Sequence, residues 1–179
     1  MRMNVGQDYF PKSSFLSVDK DLALIVSKMF EDQRLMKLLY YTQKDALKAP
    51  DLTQEQKYAM IHKQIRIVPK LEIDTECPTY VLIGMDNFTP NSKNPEYRDC
   101  IIEFDILCHP DHWNLGNFQL RPYKIAGEID SLFNKKKLTG IGETQFVTGR
   151  NLLLNDQLMG ICLTYEAIHG QEDKMWPLS

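Results

Sequence analysis

The sequence predicts an α+β protein, with helices first and then an antiparallel sheet interrupted by one helix that packs on it. Two observations lead to this prediction. Residues 98–108 alternate apolar and polar side chains, which is typical of a half-buried antiparallel strand. Residues 122–137 repeat apolar side chains at helical spacing, at Ile125, Ile129 and Phe133. A helix with one apolar stripe must bury it, and the neighbouring sheet offers the apolar surface.

Composition indicates one domain over residues 1–179. The chain is 43% hydrophobic and 25% charged, which suits a globular protein of this length. We divide it into an arm (1–17), a helical part (18–63), a sheet (64–170) and a tail (171–179). A net charge of −3 argues against a dedicated nucleic-acid-binding domain. The sequence shows neither an apolar run long enough to span a bilayer nor a signal peptide's apolar core, so we expect a soluble protein made inside the cell.

The helical part has two apolar stripes separated by the polar residues 31–34, which predicts two helices joined by a tight corner. A third helix is expected over Gln54–Lys63, after Pro50 has ended the previous pattern. Thr53 is suited to cap this helix, and Gln56 lies three residues later, as in a capping box.

The remaining chain is rich in strand signals. Strands are expected in five places, namely 65–68, 79–85, 98–108, 144–154 with a break at Gly149–Asn151, and 158–168. The segment 87–97 is rich in Pro, Asn and Ser and is predicted to be the long loop of a hairpin, of the kind that a partner often contacts. The candidate contact residues in this loop are Asn87, Phe88, Asn91, Asn94 and Tyr97. Lys135–Lys137 are expected to end the long helix at the negative end of its dipole.

One stretch resembles a metal site, because Cys108–His112 contains a thiol, two imidazoles and a carboxylate. Structural zinc requires four converging ligands, and the other cysteines and histidines are single and scattered. A strand end followed by a proline turn explains the stretch better, so no metal is expected. Cys100 and Cys108 would lie about 26 Å apart on one strand, too far to pair, and all four cysteines are expected to be reduced.

Glu103 and Asp105 share one face of the predicted strand, with Asp86 possible on the next strand. Such carboxylates can hold Mg²⁺ for phosphodiester hydrolysis, which makes a metal-dependent nuclease the alternative function. The nearby lysine that such a nuclease would want is missing from this strand, and a solvated face or subunit contact is the simpler interpretation. Gly140, Gly142 and Gly149 lack the order of a phosphate-binding loop. We therefore expect no enzyme activity and no cofactor.

The order of motifs carries more information than any single one. The segments are Asn87-Phe88-Thr89-Pro90-Asn91, Asn94-Pro95-Glu96-Tyr97-Arg98, the strand 101–109, Arg121-Pro122-Tyr123-Lys124-Ile125, Gly140-Ile141-Gly142 and Gly160-x-x-Leu163-x-Tyr165. Over roughly residues 35–170 this order resembles the small neck and tail-completion proteins of tailed phages, of the tail-terminator type. The helical part 18–63 is longer than in the smaller tail terminators, so a connector adaptor or another neck ring remains an alternative position.

The resemblance implies an antiparallel sheet with helices on one side and a structural protein of the virion. Such proteins assemble into a ring, commonly of six copies, that caps the tail tube and joins it to the connector or head-completion protein. DNA would pass through the ring without specific binding. Glu103 and Asp105 would then line the lumen, since carboxylates repel phosphate and favour sliding.

Overall fold

The computed structural model describes residues 15–67, 78–138, 140–155 and 157–169. Within these ranges the chain is α+β, as predicted, with helices preceding a curled six-stranded sheet. The predicted arm before residue 15, the tail after residue 169 and Cys77 lie outside the described residues.

Three helices precede the main strands, and a fourth lies between them. They are α1 (Val18–Glu31), α2 (Gln33–Tyr40), α3 (Gln54–Ala59) and α4 (Arg121–Phe133). The corner between α1 and α2 falls at Asp32, whose carboxylate accepts the backbone N–H groups of Arg34 and Leu35 and so caps α2. The polar break in the sequence therefore marks a true helix boundary.

The predicted capping box at α3 is confirmed. The hydroxyl of Thr53 accepts the N–H of Gln56, and the Gln56 side chain accepts the N–H of Thr53. The helix is shorter than predicted: it ends at Ala59, and the chain then turns through His62 in a left-handed backbone conformation.

The six strands lie in the order β1-β2-β3-β6-β5-β4. Their bounds are β1 (Ile65–Arg66), β2 (Thr79–Pro90), β3 (Arg98–Cys108), β4 (Lys136–Leu138), β5 (Gly142–Asn155) and β6 (Leu158–His169). All neighbours are antiparallel except the two-residue β1, which runs parallel to β2. The strand predicted over 98–108 has the predicted bounds.

Three expectations for the strands and the fourth helix were wrong. α4 ends at Phe133 rather than 137, because the chain turns at Lys135 and residues 136–138 pair with β5 as β4. The lysines therefore lie in a turn and a strand, and they do not end a helix. β5 continues through Gly149–Asn151, where a break was predicted, because Gly149, Arg150 and Asn151 all pair with β6. β2 extends to Pro90, which shortens the predicted 87–97 loop.

The main core lies between the helices and one face of the sheet. Ile102, Phe104 and Ile106 of β3 contribute to it, as the alternation predicted. Leu163 and Tyr165 of β6 lie on the same face. Helices α1, α2 and α4 bury their apolar stripes against this face, so the helices of the described ranges pack on the sheet from one side.

A buried arginine ties the helices together. Arg121, at the start of α4, is fully buried, and its guanidinium donates to the carbonyl oxygens of Leu38, Tyr41, Thr42, Gln43 and His112 at 2.6–2.9 Å. Four of these carbonyls belong to the end of α2 and the residues that follow, where backbone acceptors lack helical donors. Arg121 thus fills the role of a C-terminal cap for a helix remote in sequence.

A second buried polar contact joins α1 to the end of the sheet. His169 Nδ1 lies 2.5 Å from Asp21 Oδ2, and both residues are buried. Burial raises the pKa of the Asp21 carboxyl, while the His169 contact opposes that rise. This pair fixes the last residue of β6 against the first turns of α1.

Candidate assembly surface

The second face of the sheet carries no helix in the described part of the chain, and we call it the open face. The strand register places Gly84 of β2, Glu103 of β3 and Thr164 of β6 side by side on it, with Thr148 of β5 next in line. The sequence predicted this side of β3 correctly, because Glu103 alternates with buried apolar neighbours.

Glu103 sits near the middle of the open face with its side chain 31% exposed. Its carboxylate accepts a hydrogen bond of 3.4 Å from the Thr164 hydroxyl, and the Arg150 guanidinium lies 3.8 Å away. Arg150 itself is 58% exposed. An ion pair of this length and exposure contributes little to stability. The Arg150 guanidinium can therefore also form an ion pair with an acidic group of another molecule.

Asp105 lies one pair further along the strand, directly opposite Cys162. Burial, and then the nearby Asp105 carboxylate, raise the pKa of the Cys162 thiol to about 11. Cys162 was predicted to be a small buried residue, and that is confirmed, although it packs on the open face rather than in the main core.

One end of the open face is acidic. Asp86 of β2 pairs with Ile101, and Glu166 of β6 pairs with Ile101 from the other side, so the two carboxylates flank one β3 residue. Asp99, Glu143 and Glu166 line a hollow of about 340 Å³ at this end. At the opposite end a small apolar cluster forms instead, made of Tyr80, Leu107, Leu152 and Leu158.

The carboxylates do not form a metal centre. In the described ranges, no group of three or more histidine, cysteine, aspartate or glutamate side chains is placed to hold an ion. Glu103 and Asp105 are two residues apart along an extended strand, which separates their positions by about 7 Å. The geometry offers no support for the alternative nuclease site at Asp86, Glu103 and Asp105.

The Cys108–His112 stretch also fails to converge. The Cys108 thiol is buried and 3.2 Å from the Thr79 hydroxyl, whereas the two imidazole rings lie 6.2 Å apart in a short 3₁₀ turn. His109 Nδ1 accepts the N–H of Asp111, which is a local turn contact. As expected from the proline, the stretch is a strand end followed by a turn.

The predicted contact loop is ordered mainly by its own asparagines. The Asn91 side chain accepts the N–H groups of Lys93 and Asn94 at 3.0 Å and donates to Asp99 at 2.6 Å. Asn94 in turn accepts the N–H of Glu96. Asn91 and Asn94 therefore build the loop, and their role in binding a partner stays a prediction.

The other three candidate contact residues differ in exposure. Phe88 is partly buried against the core, with its ring 5.6 Å from that of His169 and 5.0 Å from that of Phe15. Asn87 is exposed with a left-handed backbone at the bulge of β2, and Tyr97 is partly exposed. Of the five, Asn87 is the residue best placed to meet another molecule.

The sequence did not reveal the long edge of β5. Lys136–Leu138 of β4 pair only with Gly142–Thr144, so in the described part of the chain no strand pairs with the outer edge of β5 from Gln145 to Asn155, although the Asn134 side chain accepts the N–H of Phe146. Val147, Leu153 and Leu154 on this segment are 49%, 72% and 47% exposed. Long apolar edges invite pairing with another strand, and natural proteins usually shield them.

Two more apolar features lie on the helical side. A groove of about 440 Å³ runs between α1, α3 and β1, with Val26, Phe30, Tyr58 and Ile65 among its lining residues. Phe118 projects fully exposed from the loop before α4, with a left-handed backbone that an aromatic residue rarely adopts. The described helices include none long and apolar enough to cross a bilayer.

The fold and this surface define a class of protein, namely an α+β protein whose described helices lie on one side of the sheet and whose open face is acidic at one end. The chain belongs to the YomW family, whose model matches residues 32–167. This family is phage-derived, and its model begins at the N-cap of α2 and ends within β6. No curated protein and no solved structure matches the chain.

Proposed function

We propose that this chain is a structural subunit of a phage particle and forms a ring at the head–tail junction. The ring ends the tail tube and joins it to the connector, so the partners are further copies of the chain, the tail-tube protein and the connector or head-completion protein. The observation that supports this most directly is the exposed β5 edge, because a ring subunit needs a surface that remains incomplete until a neighbour covers it.

The acidic open face fits the same function. In a ring built with the helices outward, Glu103, Asp105 and Asp86 face the lumen through which DNA passes. Carboxylates there repel phosphate and prevent the strong nonspecific binding that a basic surface produces. The phage-derived family supports the assignment to a phage particle, and the resemblance to tail terminators supports the junction.

The test is the mass of the purified protein, alone and mixed with the tail-tube protein of the same phage, by light scattering after size exclusion. We expect a closed oligomer or a stable complex, and rings in negative-stain images. A protein that remains monomeric at high concentration and does not bind the tail-tube protein would exclude this function.

A matched control addresses the nuclease alternative. The Glu103→Ala/Asp105→Ala variant should assemble like the wild-type protein, and neither protein should degrade DNA when Mg²⁺ is added. Mg²⁺-dependent cleavage that disappears in this variant would favour the enzyme instead.

A further inference from the structure

As far as the structure describes the chain, the sheet has an unpaired stretch at each of its two outer edges. On one side, no strand among the described residues pairs with the outer edge of β5 from Gln145 to Asn155, beyond its pairing with β4, although the N–H of Phe146 there donates to the Asn134 side chain. On the other side, β1 covers β2 only at Val81 and Leu82, and the stretch Ile83–Pro90 pairs only with β3 in the described ranges. Each edge offers a row of backbone donors and acceptors that another strand can satisfy.

We propose that these two edges pair with each other between copies of the chain, so that β5 of one subunit extends the sheet of the next through β2. This inference rests on the proposed function and identifies the interface that builds the ring. A contact between two different surfaces of the same molecule is heterologous, and it closes into a ring when the rotation between neighbours allows.

Strand direction agrees with this pairing. β2 and β6 run one way, and β3 and β5 run the other way. When the strands run along the ring axis, a rotation about that axis preserves their direction, so β5 meets β2 of the neighbour as an antiparallel pair. The open faces of all subunits then lie on the same side of one continuous sheet.

The charges of Arg150 and Asp86 favour one register for the pairing of β5 with β2 of the neighbour. Arg150 and Asp86 both point to the open face, Arg150 as the partner of Cys162 and Asp86 as the partner of Ile101. Arg150 is more than half exposed, and Asp86 is exposed. Placing Arg150 opposite Asp86 of the neighbour forms an ion pair and brings Leu153 opposite Ile83.

This register also limits the overlap of β5 with β1 of the neighbour to the last two residues of β5. Within one chain, Arg150 is level with Leu82, so pairing it with Asp86 offsets the neighbours by four residues, or about 13 Å. The offset places residues 146–153 of β5 beside the stretch Ile83–Pro90, and only Leu154 and Asn155 fall opposite the β2 residues that pair with β1. Closed sheets require such a stagger between strands.

Apolar surfaces match at the end of the interface. Beyond Leu153 the hairpin of β5 and β6 continues toward β1 of the neighbour, where the groove between α1, α3 and β1 is lined by Ile65 and Ile67. Leu154 is the next exposed apolar side chain, and covering it and Leu153 in the interface removes apolar surface from water.

Charge reversal tests the register. Arg150→Asp and Asp86→Arg should each weaken self-association about tenfold or more, because like charges then meet at the interface. Mixing the two single variants, or combining both changes in one chain, should restore it. Lys44→Asp and Asp45→Arg reverse exposed charges in the connection after α2 and should leave the mass unchanged. An isologous β5–β5 contact would instead make Asp86→Arg silent.

A cysteine pair tests the contact even at low affinity. Arg150→Cys and Asp86→Cys in one chain lie at least about 14 Å apart, since two strands separate β5 from β2, so they cannot pair within the chain. Because Cys162 lies directly opposite residue 150, the background is Cys77→Ser/Cys162→Ser, and there oxidation should give a ladder of linked oligomers only when both introduced cysteines are present. Wild-type rings without a ladder would overturn this interface and leave the proposed function intact. Absence of both rings and the ladder would exclude both, whereas dimers of the Arg150→Cys variant alone would favour the isologous contact.

Discussion

At the scale of single residues, Arg121 makes five hydrogen bonds to the backbone. Its guanidinium is buried without a carboxylate partner and is satisfied by five carbonyl oxygens. Burial lowers the pKa of this group, although arginine starts so high that the charge persists. Only the planar five-donor fork matches this set of acceptors.

Replacing Arg121 with lysine should therefore destabilise the fold by about 2–4 kcal/mol, because three ammonium donors cannot reach five carbonyls and the rest stay buried without a donor. Urea unfolding followed by circular dichroism measures the change. Arg150→Lys is the matched control, and it should shift the free energy of unfolding by less than about 0.5 kcal/mol. Equal effects of the two substitutions would show that the Arg121 contacts are unimportant.

The cysteines make a second residue-scale prediction. Burial raises the pKa of Cys100 to about 12 and that of Cys108 to about 11. At pH 8 almost none of either thiol is ionised, and reaction with iodoacetamide requires the thiolate. The native protein should remain unlabelled at Cys100, Cys108 and Cys162, and all should react in urea. Peptide mass mapping reads out each site, and fast labelling of native Cys100 would contradict the buried position.

At the scale of elements, strong local patterns in the sequence were enough to predict where some helices and strands begin and end. The alternation in 98–108 gave the bounds of β3, and the polar break gave the corner at Asp32, because burial on one face leaves a direct trace in the sequence. β4 and the middle of β5 left no such trace. Lys136–Leu138 is mostly exposed, and Gly149-Arg150-Asn151 has turn-like composition although it pairs with β6.

The same reasoning explains what could be predicted of the candidate site. The shared face of Glu103 and Asp105 follows from strand periodicity alone. The exposed edge of β5 could not be predicted in this way. It is exposed because β6 lies between β3 and β5, and such pairing of strands distant in sequence leaves no local pattern. The sequence signal closest to it was the apolar run Leu152–Leu154 beside a turn.

Strand packing makes the element-scale prediction. A side chain at Gly160 of β6 would overlap the carbonyl oxygen of Ile106 on β3, so Gly160→Ala should cost at least about 3 kcal/mol or prevent folding. Gly84 of β2 is the matched control, since no atom lies within 4 Å of the position its Cβ would take. Gly84→Ala should stay within about 1 kcal/mol of wild type in the same urea experiment, and comparable losses at both positions would refute the close approach.

At the scale of the whole molecule, charge is unevenly distributed. The net charge is only −3, yet one end of the open face collects Asp86, Asp99 and Glu166 near Glu103. A surface of this kind should not hold DNA at physiological salt.

Reversing the charge of that surface should allow the molecule to bind DNA. The Glu103→Lys/Asp105→Lys variant raises the net charge by four and should bind duplex DNA, with affinity that falls steeply as salt increases. Fluorescence anisotropy measures this, with wild type expected to show no binding at about 0.15 M salt. Lys substitutions at Asp45 and Glu55, which lie on the helical side, control for net charge alone. Strong DNA binding by the wild-type protein would contradict the proposal that DNA slides past the open face in the lumen of a ring.

The Arg121 contacts also have a consequence for synthesis in the cell. Arg121 follows its acceptors at Leu38–Gln43 by 78–83 residues. At about 5–20 residues per second, the ribosome exposes the end of α2 for roughly 4–16 seconds before the residue that caps it has been made. β6, which separates β3 from β5, is translated later still. The nascent chain therefore exposes bare helix ends and unpaired strands for several seconds, and we expect its yield to depend on chaperones that bind emerging polypeptides.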